Sequence, residues 1–339
     1  MYARQILAVW ILSLCSLAGA ATVPDLYAAA VPIKDRSEEA RQLAFKNSLA
    51  AVLVKVTGDR AVVGDPDVLD LLELAPSLLQ QYRYTADKKL WAAFDGEAVE
   101  RAARAAGLAV WGSNRPSILM WFAVDWGGGS RGLITAGEET DLRRTIERVA
   151  GSRGLAIVWP LFDSTDRAEM AFSDLWGGFT EKIEAASARY GVSGILVGRA
   201  NRGAAGRLQV RWTLDMGELT DEWRGGMSDG IHQVADRLGQ RFAVRDLGGN
   251  AGSTTVAVSG INSLRDYARV SDYLEKLSLV RRVGIQRVAG NTVIFNLDLQ
   301  GDASRLPRII DLNDTLGRLA TEETPSAALS AEQRYRYNP

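Results

Sequence analysis

Three polar residues sit where an α/β protein keeps its chemistry. Asp125, Asp163 and Arg199 each follow a near-continuous apolar run, at 118–124, 155–161 and 192–197. Such runs read as buried central strands. If those strands are parallel neighbours, the three side chains meet at the carboxyl edge of the sheet, where α/β proteins bind ligands. Two carboxylates there could hold a hard cation. They could also act as a glycosidase pair, which needs them about 5–9.5 Å apart. The plainer reading makes Asp163 and Asp166 helix caps and gives Arg199 an ordinary ion pair. The stretch Asp163-Ser-Thr-Asp166 lacks the alternating acidic pattern of a calcium loop. Trp126 and Trp176 flank the glycine-rich stretches Gly127-Gly-Gly129 and Gly177-Gly178. An indole beside a loop can stack on a sugar ring or anchor a protein partner, or it can fold back over the sheet end as packing. Asp125, Asp163, Arg199, Trp126 and Trp176 form the candidate binding set.

Other chemistry is scarce. The 339 residues contain one Cys and one His. His232 sits beside Ile231 on a helix flank, where it is expected to face solvent without a partner. A zinc site needs several His or Cys ligands, and the chain has one of each. The glycine-rich stretches lack the Lys of a phosphate-binding loop. No catalytic residue, metal ligand or cofactor is expected. Forty basic residues against 41 acidic ones give a net charge of -1. That balance argues against nucleic acid or an anionic membrane surface as the main partner.

The first twenty residues read as an export signal. Arg4 supplies the positive start, Ile6–Leu17 the apolar stretch, and Ala18-Gly19-Ala20 the small-residue cleavage site. Cleavage there removes Cys15, so the exported chain has no disulfide, and no later stretch is apolar enough to span a membrane. The expected compartment is the periplasm. The elements that follow divide into three modules in series. Residues 22–112 read as a helix-rich α+β module. In it Ser37 caps a helix, Phe45, Leu49, Val52, Leu53 and Val56 form one stripe, and Gly58 ends it. A second helix is expected at 67–81 and a strand at 108–111. Residues 115–245 alternate strands and helices in an α/β mixed-sheet module, with antiparallel strands at 208–214 and 218–224. A Gly-rich linker spans 246–253. Residues 254–320 follow the β-α-β-β-α-β order of a ferredoxin-like module. The tail, 321–339, shows no period and is expected to be disordered.

Several segments carry a resemblance. Ala21-Thr-Val-Pro-Asp-Leu-Tyr27, Val54-Lys-Val-Thr-Gly-Asp59, Gln80-Gln-Tyr-Arg-Tyr84, Trp176-Gly-Gly-Phe179 and Ala188-Arg-Tyr-Gly191 resemble the exported proteobacterial proteins of domain-of-unknown-function family 2066. The likeness extends over nearly all of the chain after the signal. It implies a secreted or periplasmic envelope protein and brings no catalytic residue with it. In strand order the central module is also loosely similar to small α/β domains of envelope lipoproteins and of the Tol-system propeller protein. The expected function is a non-enzymatic scaffold, adaptor or accessory factor that binds an envelope protein. The alternatives are a module for a small ligand or cell-wall saccharide, and a carboxylate-dependent hydrolase.

Overall fold

A computed structural model describes residues 23–203, 206–217, 219–245, 252–312, 314–319, 331 and 333–339. The expected export signal lies outside the described residues. So does most of the expected linker, whose last residue, Ser253, begins a strand.

The first module holds β1 (Ala28–Pro32), α1 (Glu38–Thr57), α2 (Pro66–Glu73), α3 (Ala75–Leu78), β2 (Leu79–Tyr84), β3 (Lys89–Phe94) and α4 (Gly96–Ala105). Ser37 caps α1 by accepting from the Ala40 amide, and the whole predicted stripe is buried against the β1-β3-β2 sheet. The helix expected at 67–81 ends early, because Leu79–Tyr84 pair with β3. The strand expected at 108–111 is a single bridge, Val110 to Val244.

The second module contains β4 (Ser117–Gly127), β5 (Ser130–Ile134), α5 (Asp141–Ser152), β6 (Ala156–Val158), α6 (Ser164–Glu169), α7 (Phe172–Gly177) and α8 (Thr180–Ser187). It continues with β7 (Gly194–Arg202), β8 (Leu208–Asp215), β9 (Thr220–Gly225) and α9 (Met227–Phe242). The sheet runs β5-β4-β7-β8-β9, with short β6 parallel to the start of β4. β4 and β7 are parallel, and β8 and β9 follow as antiparallel hairpin strands. Alternation sends Ile118, Met120, Phe122, Leu196, Val210, Trp212 and Leu214 to one face, under α5 and α9. Leu119, Trp121, Ala123 and Val197 go to the other, under α6, α7 and α8. Those three short helices cover β4 and part of β7. The outward faces of β8 and β9 are left open.

The third module holds β10 (Ser253–Ser259), α10 (Leu264–Glu275), β11 (Val280–Ala289), β12 (Thr292–Leu299), α11 (Leu306–Ile310), β13 (Leu316–Arg318) and β14 (Gln333–Tyr337). Its sheet order is β11-β12-β10-β14-β13. A ferredoxin-like sheet would set its fourth strand antiparallel beside β10. Here β14 takes that place and runs parallel to β10, displacing β13 to the edge. The expected disordered tail is therefore corrected over Gln333–Tyr337, where Tyr335 and Tyr337 are buried in the core.

The modules are not separate beads. One apolar core runs from the α5/α9 face of the central sheet into the third module. Asn114 donates to the Ile309 carbonyl, and Arg305 donates to the carbonyls of Arg241 and Ala243. The first module is held by two buried arginines. Arg115, 1% exposed, lies over the Trp111 ring and donates to the carbonyls of Lys55, Trp111 and Gly112. Arg153, also 1% exposed, binds the Gly58 carbonyl at 2.7 Å and Asp236 at 2.7 Å. It also reaches His232 Nδ1 at 3.2 Å, so the expectation of a solvent-facing, partnerless imidazole is corrected. Burial and the neighbouring Arg60 and Arg153 lower the His232 pKa. Gly58 ends α1 at φ +73°, and a Cβ there would lie 2.7 Å from the Gly239 Cα, so only glycine allows α1 to approach α9 this closely.

Candidate functional site

The sequence places Asp125, Asp163 and Arg199 at strand ends, but the strands are cut differently. Asp125 lies inside β4 and Arg199 inside β7, while β6 stops at Val158, well short of Asp163. Asp125 accepts from the Gly127 amide at 2.8 Å and pairs with Arg131 at 2.7 Å. Asp163 caps α6 and pairs with Arg189 at 2.7 Å. The Gly127 amide and Arg131 hold the Asp125 carboxyl below the usual range, and Arg189 with the cap amides does the same for Asp163. Neither is raised toward a general acid, as a hydrolytic pair would require. The three residues do not form one constellation. The plainer reading of Asp163 as a cap is the observed one.

The tryptophans also separate. Trp126, 36% exposed, lies over Gly132 on the face shared with Val124 and Ile134. Trp176 packs on the opposite face, stacked on Phe172 at 5.7 Å with the Arg131 guanidinium 5.9 Å from its ring centre. Phe172 occupies one flat side of Trp176. The two indoles cannot clamp one ligand.

Arg199 is the predicted residue that leads to a site. It faces outward from β7, and its register partner on β8 is Arg211, whose partner on β9 is Arg224. Three arginines thus lie side by side in one rung across three strands. Direct cross-strand neighbours have Cβ atoms about 4.5–5.5 Å apart, and like charges at that distance destabilise the sheet. Among the described residues none of the three makes a contact ion pair; Glu222 acts on Arg199 only from a distance, through the Thr213 hydroxyl that lies between them. Arg199 makes only two long contacts, to the Trp176 carbonyl at 3.5 Å and to the Thr213 hydroxyl at 3.3 Å. Its Nε is buried without a partner. Partial burial, with Arg211 alongside, lowers the Arg199 pKa.

These arginines line a pocket of about 400 Å3 with Trp176, Asn201 and Gln209. Every side-chain polar group in it can donate, and no acidic residue lines it. Guanidinium groups offer planar, two-pronged donors suited to carboxylates and phosphates. Arg199 also borders a second hollow between the sheet and α8, lined by Ile183, Glu184, Val197, Asp215 and Glu222. Sequence reasoning missed Arg211 and Arg224. The alternation of β8 placed Gln209, Arg211, Thr213 and Asp215 on one face, but register was needed to set Arg211 against Arg199 and Arg224.

Fold and site together define a three-module α+β protein with a basic groove on the uncovered half of its central sheet. Residues 20–112 match a domain of unknown function, DUF8605, and residues 251–338 match DUF2066. The segments that carried the sequence resemblance to family 2066 all lie outside 251–338. The first three fall within the segment that matches DUF8605, so the likeness to family 2066 is confined to the third module. Neither match reaches the central module that bears the groove. No curated protein matches the chain. Among the described residues no helix is long and apolar enough to cross a membrane, and no group of His, Cys, Asp or Glu could hold a metal.

Proposed function

We propose that this is an exported envelope protein that works by binding, as a non-enzymatic adaptor whose contact surface is the open face of β7, β8 and β9. One observation carries the reading: the Arg199-Arg211-Arg224 rung lies on the open side of the sheet and makes no contact ion pair among the described residues. A like-charged rung costs stability and gains nothing inside the chain, so its use lies in an external anionic group. The third module supports the adaptor reading, because its shared core makes it a rigid extension of the same body. The two ion-paired carboxylates, Asp125 and Asp163, favour binding over hydrolysis.

Export and binding are tested separately. Mass spectrometry of the protein recovered from the periplasm should find a chain beginning near Ala21. A full-length chain retained in the cytoplasm would overturn the localisation. For binding, the tagged protein and an Arg211→Gln/Arg224→Gln variant would capture proteins from envelope extracts. A partner held by the parent and lost from the variant is the expected result. The same proteins captured equally by both would refute the assignment of this face.

A further inference from the structure

The open face carries more information than its positive end. Same-face positions on β7, β8 and β9 form successive rungs: Arg199-Arg211-Arg224, then Val197-Thr213-Glu222, then Ile195-Asp215-Thr220. Successive rungs on one face are two residues apart, about 7 Å. The first rung is cationic and the next two carry Glu222 and Asp215. Ile183, Ile195 and Val197 provide an apolar wall beside them, with Glu184 projecting from α8. Among the described residues Glu184, Asp215 and Glu222 make no ion pair. Glu222 accepts only from Thr213 at 3.3 Å, and Asp215 only from the Gly217 amide at 2.9 Å. The groove therefore has a cationic end and an anionic end, in line along the strands, with an apolar wall along one side.

Resting on the binding reading above, we infer that the groove takes an extended segment of a partner protein bearing one acidic and one basic side chain two or four residues apart, so that both face the sheet. An extended chain advances about 3.3–3.4 Å per residue, so that spacing matches the distance from the arginine rung to the Glu222 and Asp215 rungs. The acidic side chain sits over Arg199, Arg211 and Arg224. The basic one reaches Glu222 or Asp215, and at the four-residue spacing an apolar residue midway between them meets Val197 and Ile183. A simple polyanion would be attracted to the arginines but repelled by the other end.

The test uses labelled nine-residue Thr/Val-rich peptides and the whole protein, read by fluorescence anisotropy at fixed ionic strength. One peptide carries Glu and Lys four residues apart, one carries two Glu, and one carries two Lys. Inorganic phosphate serves as a competitor. The Glu/Lys peptide should bind at least tenfold more tightly than either like-charged peptide. Arg211→Glu should abolish binding of both Glu-containing peptides. Glu222→Gln should weaken the Glu/Lys peptide several-fold while leaving the double-Glu peptide and phosphate unchanged or tighter. Both positions lie on an exposed sheet surface, and an unchanged circular dichroism melt would show that the variants fold. If the double-Glu peptide or phosphate binds as well as the Glu/Lys peptide and Glu222→Gln changes nothing, this inference fails while the anionic-partner reading stands. If no probe binds and Arg211→Glu is silent, both fail.

Discussion

Replacing Arg211 by Gln probes the groove through stability. Arg211 stands between Arg199 and Arg224, its direct neighbours on either strand. A like-charge cross-strand pair costs about 0.2–1 kcal/mol. Arg211 is exposed and its guanidinium can swing away from the others, so the lower half of that range applies to each of its two pairs. Removing the charge while keeping a long polar side chain should stabilise the central module by about 0.8 kcal/mol at low salt. With a urea slope of about 2 kcal/mol/M, the midpoint rises by about 0.4 M. Salt provides the control. At about 0.01 M the Debye length is about 30 Å, so the rung repels fully, whereas at 1 M it is about 3 Å, shorter than the spacing between neighbours. The advantage of the Gln variant should therefore vanish in high salt, because the parent gains what the variant already has. Added phosphate at constant ionic strength should stabilise the parent more than the variant, since only the parent keeps the full site. Paired urea titrations at the two salt concentrations would settle this. A Gln variant less stable than the parent at low salt, or an advantage unaffected by salt, would refute the claim that the arginines of the rung repel one another.

Three further substitutions test the frame around the groove. Gly58→Ala must adopt φ +73° and push a methyl group against the Gly239 backbone. It should cost more than about 2 kcal/mol, whereas Gly107→Ala, at φ +74° in open space, should cost only about 1–2 kcal/mol of left-handed strain. Equal losses in urea unfolding would show that the α1–α9 approach is not tight. Tyr335→Ala removes a side chain that is 1% exposed between β10 and β13, and should destabilise the third module by about 3–5 kcal/mol. A change under about 0.5 kcal/mol would return the terminus to a loose tail. Burial lowers the Lys55 pKa from 10.5 to about 8 in the fold. Between those values the unfolded chain holds a proton that the folded chain has lost, so stability from this group rises with pH across that window. Relative to Lys55→Met, the parent should gain stability from pH 8 upward. A stability difference that stays flat with pH would mean that Lys55 remains charged in its buried seat.

The sequence read best where a single element carried its own signal. Phe45, Leu49, Val52, Leu53 and Val56 repeat with helical period beside a capping Ser37 and a stopping Gly58, and α1 follows them. Ile118–Val124 is apolar throughout because β4 is covered on both faces. What depended on distant pairing was hidden. Arg334–Tyr337 alternates base and aromatic over four residues, too short and polar to announce a strand. Its partner β10 lies more than seventy residues earlier. Leu79–Gln81 fall in the helical stretch expected at 67–81, but β3 pairs with them as part of β2. Trp126 and Trp176 share a candidate set because both adjoin glycines, but Trp126 lies on the α5/α9 face of β4 while Trp176, on α7, packs against the other face.

The arginine rung shows why overall charge misled about the site. A net charge of -1 is a sum over the chain and carries no position. Arg199, Arg211 and Arg224 are 12 and 13 residues apart, so no run of like charge marks them. Two hairpin connections fold those intervals back until the residues become direct neighbours. The same alternation that buries Val210, Trp212 and Leu214 under α9 forces Arg211 and Thr213 to the opposite face, where α6, α7 and α8 do not reach. A one-residue slip of β8 would bury Arg211 under α9 and expose Trp212. The apolar face therefore fixes the register, and the register assembles the basic end. Stability on one side of the sheet holds the charges together on the other, which is how a like-charged rung persists without a contact ion pair.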